Sequence, residues 1–111
     1  MDDRTIITTG TPERGFAYFF WVSPGIRGTH THLRPDGVTF GTGPDADVVL
    51  PGAEAADEQA RVRREGDGWF LYDLASNDTT LLNGAAIYRE ELASGSRIAL
   101  AGSEAIFRAL E

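Results

Sequence analysis

The chain has 111 residues, enough for one domain, and its 41% apolar content can fill one hydrophobic core. A formal net charge of −7 repels nucleic acid and anionic membrane, since both need Lys and Arg to displace their counterions. The absence of Cys excludes disulfides and thiolate metal sites, and it fits a reducing, cytoplasmic setting.

Residues 1–15 are polar, carry four Thr, and read as a flexible N-terminal arm with no apolar run of signal-peptide length. Residues 16–22, FAYFFWV, read as a strand that is apolar on both faces and too short to span a bilayer. Either both faces are buried or one is open to a partner, and as an edge strand it could pair two copies. Residues 23–28 form a loop and 29–33 a strand. Arg34-Pro35-Asp36-Gly37 is a turn, and the strand 38–40 breaks at Gly41. Residues 47–50 make a short strand, followed by a loop over 51–57.

Residues 59–64 alternate in the strand period, and Gly66-Asp67-Gly68 closes a hairpin onto a strand over 69–74. Asn83-Gly84 is a two-residue hairpin signal, because both positions accept positive φ; it joins 80–82 to a strand over 85–88. After a turn at 92–96, strands over 97–100 and 104–110 end the chain. No segment keeps a helical period for three turns, the nearest being the Ala- and Glu-rich residues 53–64. Short, regularly spaced strands with Gly punctuation predict an all-β sandwich or barrel.

Gly41, Asp47, Val48 and Leu50 resemble the Gly-Arg…Asp-Ile-x-Leu of forkhead-associated (FHA) domains. Ala60 follows the position of that family's His. Asp73-Leu74-x-Ser76 is similar to its Asp-Leu-x-Ser, and Leu82-Asn83-Gly84 to its Val-Asn-Gly. Leu92…Gly95…Ile98-x-Leu100-x-Gly102 and Phe107-Arg108 are similar to its closing motifs. The resemblance covers residues 16–110. It implies an FHA-like β-sandwich of about eleven strands over 16–111, with ligand loops at one end and a non-catalytic, protein-binding role.

The positions that such domains use for phosphothreonine are replaced. By resemblance, the phosphate-contacting Arg falls at Thr42, and the Ser-x-x-His falls at Ala56 and Gln59. The Asn that grips the peptide backbone falls at Asp78, the Gly after it at Thr79, and the Thr or Ser before it at Asn77. Phosphothreonine carries nearly two negative charges and is best held by Arg. A carboxylate about 5 Å from such a dianion costs on the order of 1.5–6 kcal/mol. These six residues are therefore expected to be a vestigial ligand rim, and the protein partner to bind without phosphate.

The layout is also similar to small bacterial FHA signalling proteins whose Thr-bearing arm is phosphorylated by a kinase and folds back on its own site. Thr5, Thr8, Thr9 and Thr11 would be that arm's acceptors, facing a receiving site disabled by Thr42 and Asp78. His30-x-His32 could place two imidazoles on one strand face, so a small metal-binding domain, with Asp36 the nearest carboxylate, is the alternative from another class. Two half-exposed strand His account for the motif as well, and no metal or cofactor is assigned. Gly41-x-Gly43 lacks the third Gly and helix of a dinucleotide loop, and no Gly-x-Ser-x-Gly elbow is present, so no enzyme activity is expected.

Overall fold

The computed structural model describes residues 17–51 and 54–109. The expected arm, with its four Thr, lies outside them, as do Phe16 and Leu110. Eleven strands run in chain order: β1 (Ala17–Trp21), β2 (His30–His32), β3 (Val38–Gly41), β4 (Val48–Val49), β5 (Ala60–Glu65), β6 (Gly68–Asp73), β7 (Thr80–Leu82), β8 (Ala85–Ala86), β9 (Arg89–Leu92), β10 (Arg97–Leu100) and β11 (Ser103–Ala109). They build a six-stranded sheet, β2-β1-β11-β10-β7-β8, and a five-stranded sheet, β4-β3-β5-β6-β9. The fold is an all-β sandwich. Among the described residues there is no helix: residues 54–59 are loop, and 60–65 are β5.

Alternation along each strand decides its inward face. In β1, Ala17, Phe19 and Trp21 point in, while Tyr18 and Phe20 are half-buried on the outer face. β1 lies between β2 and β11, so it is not the edge strand that its sequence permits. The core joins the layers through aromatic contact. Phe19 stacks on Phe40 at 5.1 Å and 16°, and Trp21 meets Phe40 at 6.0 Å. Trp21 also donates its indole N–H to the buried Thr31 hydroxyl at 2.8 Å.

Two differences from the sequence reading concern residues 85–92. The strand expected over 85–88 ends at Ala86. The chain then crosses to the other sheet and forms β9 against β6, with Tyr72 opposite Arg89 and Trp69 opposite Leu92. Arg-Glu-Glu-Leu shows no alternation because β9 is an edge strand whose first three residues are exposed and only Leu92 enters the core. On that outer face Arg89 lies 4.3 Å from the Phe70 ring. Hydrogen bonds from the Tyr72 hydroxyl and then Arg89 hold the Glu65 carboxyl below its ordinary range.

Asp47 explains the Asp of its motif. Its backbone N–H donates to Thr39 O at 2.8 Å, its carboxylate accepts from Thr39 N–H at 2.8 Å, and Arg34 binds it at 3.2 Å. This carboxylate therefore aligns β4 parallel to β3, with Phe40 beside Val48.

His32 stands opposite Tyr18, and partial burial, then Arg34, holds its imidazole below the ordinary 6.5. The unfolded chain therefore takes the proton more readily, so stability is full above the unfolded value and falls as pH drops through it. From about pH 7.5 to about 5.5, the melting temperature should fall more for the natural protein than for His32→Gln. Parallel falls would remove His32 as the cause.

Candidate functional site

Three loops meet at one end of the sandwich: 42–47 after β3, the loop before β5, described over 50–51 and 54–59, and 74–79 between β6 and β7. Gly41 allows the first two to touch. A Cβ there would lie 2.0 Å from the Asp57 carbonyl oxygen, a backbone atom with no room to yield. Across this contact Thr42 N–H donates to Ala56 O and Gly43 N–H to Asp57 O, both at 3.1 Å. The Thr42 hydroxyl turns back to the carbonyls of Ala55 and Ala56 at 3.3 Å, so the one hydroxyl that Thr42 brings is already engaged.

Gln59 lies beneath the loops, with no exposed surface. Its carbonyl accepts from Ala56 N–H at 3.0 Å, and its amide donates to Thr79 Oγ1 at 2.9 Å and Thr80 Oγ1 at 3.0 Å. The Thr80 hydroxyl donates to Asp73 Oδ1 at 2.9 Å. Asp73 in turn accepts from the N–H groups of Ala75 and Ser76, each at 3.1 Å, which fixes the start of the third loop. Thr79 donates to Asn77 Oδ1. Ser76 and Asp78 both take the left-handed conformation, φ 59° and 60°. Asp tolerates that region better than most residues, so Asp78 can hold this turn.

The six expected rim residues are thus brought to one end but divide into two layers. Thr42, Asn77 and Asp78 are exposed, Ala56 and Thr79 are half-buried, and Gln59 is the support below them. The sequence reading missed Thr80 and Asp73 as members of this network. A Thr at the inward first position of a strand was the available signal, since a buried hydroxyl needs a partner. It also missed two exposed side chains, Leu74 and Tyr88, which are 42% and 86% accessible. Tyr88 sits by the third loop, its carbonyl accepting from Asp73 N–H at 3.0 Å. His30 and His32 share a face, and His30 lies against Tyr18 and Phe20 at 5.2 and 5.0 Å. Among the described residues no group of three His, Cys, Asp or Glu is placed to hold a metal ion.

A family model described as FHA domain matches residues 38–101, more than half of the chain, and the chain belongs to the FHA family. Solved structures agree. One, from a study of phosphothreonine-dependent FHA interactions, superposes with a TM-score of 0.76 at 28% identity, over 86% of this chain and 98% of that one. The FhaA FHA domain in complex with the intracellular domain of Rv3910 gives 0.72 and 29%, over 83% and 99%. EmbR of Mycobacterium tuberculosis, in complex with a low-affinity phosphopeptide, gives 0.78 at 21%, over 99% of this chain and 28% of its own, which speaks to the fold alone. No curated protein matches the chain by sequence. Among the described residues no helix is long and apolar enough to cross a membrane.

Two substitutions test this architecture by thermal or denaturant unfolding. Gly41→Ala should cost about 1–3 kcal/mol, with amide shifts concentrated at Thr42, Gly43, Ala56 and Asp57. Gln59→Leu strands Ala56 N–H and takes the donor away from the Thr79 and Thr80 hydroxyls, which keep their bonds to Asn77 and Asp73, and should cost about 1–3 kcal/mol. A neutral Gln59→Leu would mean that the loops hold together without the amide.

Proposed function

We propose that this FHA domain is a protein-interaction module whose loop end binds its partner without phosphothreonine. One observation carries the reading. The three loops, residues 42–47, 50–59 and 74–79, contain no Arg, Lys or His, while Asp45, Glu54, Asp57, Glu58 and Asp78 add negative charge. Phosphate recognition rests on charge-assisted hydrogen bonds, and here none has a donor cation to start from. Micromolar binding is worth roughly 8 kcal/mol in all. Losing the Arg contact and adding a nearby carboxylate removes most of that. The vestigial rim is Thr42, Ala56, Gln59, Asn77, Asp78 and Thr79, with Leu74 and Tyr88 beside it as apolar contacts for a partner.

The class of partner is supported by family membership and by the complex of the FhaA domain with a protein domain. An interaction module rather than an enzyme is the family-level expectation. A cytoplasmic setting is supported by the lack of Cys and by the intracellular origin of that bound domain. The test is chemical-shift mapping of the labelled full chain against a degenerate phosphothreonine peptide library and its unphosphorylated twin. No phosphate-dependent shift at Thr42, Asn77 or Asp78 is expected. Phosphate-dependent shifts there, with micromolar affinity, would make the domain a working phosphopeptide reader instead.

A further inference from the structure

The two sheets differ in what they show to solvent. On the five-stranded sheet the outward aromatic rings, Phe70 and Tyr72, lie under the guanidinium of Arg89, at 4.3 and 5.6 Å. On the six-stranded sheet the outward positions include Tyr18, Phe20, His30, His32, Ile106 and Leu81, all half-buried, with Arg97 and Arg108 exposed among them. The strand register puts them side by side. One row runs His32, Tyr18, Arg108; the next His30, Phe20, Ile106, Arg97; the third Glu104, Ala99, Leu81, Ala86. A sheet face that points to water is normally polar at its outward positions, and the connected apolar strip of Tyr18, Phe20 and Ile106 within this one marks a contact.

We propose that this face is the contact between two copies of the chain, related by a twofold axis that crosses β11 at Ile106. The charges on the face name the second copy as occupant. Along β11 the outward residues read Glu104, Ile106, Arg108. Acid, apolar, base is its own complement when read backwards. An axis lying across the strands at Ile106 sets Ile106 on its counterpart and each Glu104 opposite the other copy's Arg108. Such self-complementarity is what an isologous contact requires. Arg97 shares the central row, but it is drawn off the axis onto Glu104 at 3.0 Å.

The overall charge of −7 opposes self-association, yet the outward strand positions here carry one acid, Glu104, against two Arg. Six strands about 4.8 Å apart make the face roughly 24 Å wide. Three outward rows about 6.8 Å apart make it roughly 20 Å high, or on the order of 500 Å², below the about 800 Å² per partner of a standard interface, so the dimer is a weak one, seen at high protein concentration. With the axis across the strands, the two loop ends point in opposite directions and both stay open, so this contact does not depend on what the loops bind.

Sedimentation equilibrium of the full chain over a wide concentration range tests the proposal. The mass should rise towards twice that of the monomer. Ile106→Glu should abolish the rise, and Arg108→Glu should weaken association about tenfold. Adding Glu104→Arg and Arg97→Glu to Arg108→Glu should restore most of it, since the charge order along β11 is then reversed on both copies and the ion pair between positions 97 and 104 is kept. Melting temperatures and amide spectra show whether each variant is folded; should Ile106→Glu fail to fold, Phe20→Lys takes its place. A chain that stays monomeric throughout overturns the proposal, as would be seen if another partner or residues 1–16 covered the face. So does a dimer indifferent to Ile106→Glu. A dimer weakened by Arg108→Glu but not restored by the triple variant overturns the twofold axis at Ile106.

Discussion

Gln59 holds the loop end together because a buried amide must have partners for its donors and its acceptor. With no contact to water, it finds them in three places: the N–H of Ala56 and the hydroxyls of Thr79 and Thr80. Those partners belong to loops that are far apart in sequence. The amide therefore converts two separate excursions of the chain into one body. Thr80 extends the connection to Asp73, and Asp73 sets the first turn of the third loop. Low dielectric makes each bond in such a chain stronger and each omission costlier. The left-handed residues Ser76 and Asp78 are carried by this support.

The scaffold has requirements of its own, separate from those of any ligand. Gly41 is needed because a backbone carbonyl passes where a Cβ would be. Asp47 is needed because its carboxylate completes the β3–β4 ladder. Asn83 takes φ 51° in the β7–β8 hairpin and accepts from Arg97 N–H at 2.9 Å. None of these roles involves a ligand. The exposed layer, Thr42, Asn77 and Asp78, bears no such obligation to the fold. Its side chains can vary at little cost in stability, and only binding constrains them.

The same distinction governs what could be read from the sequence. Turns were legible where a residue type has one physical use: Asn83-Gly84, Gly66 and Gly95 fall in turns with positive φ, as expected. The turn at Ala101-Gly102 has the same left-handed pair, φ 50° and 96°, although Ala at its first position gives no such signal. Inward strand positions were legible by alternation, as in β5. Edge strand β9 was not, since three of its four residues face water and period two has nothing to mark. Gln59 was placed at the correct end but not at its depth. A Gln in sequence does not show whether its amide faces solvent or a ring of buried hydroxyls, and that depends on loops that only the fold brings together.

The first and last strands of the sandwich pair with each other, Ala17 opposite Ala109 and Trp21 opposite Ala105. This contact closes nearly the whole chain into one ring, and it delivers Phe19 and Phe107 to the core in the same step. Loop-closure entropy must be met before that contact gives anything back, so topology of this kind folds slowly. A nascent chain still lacking β11 leaves β1 paired only with the three-residue β2, and its aromatic inner face without its widest neighbour. β11 is therefore the strand that completes the layer, and until it has been made the sandwich is most exposed to aggregation and proteolysis.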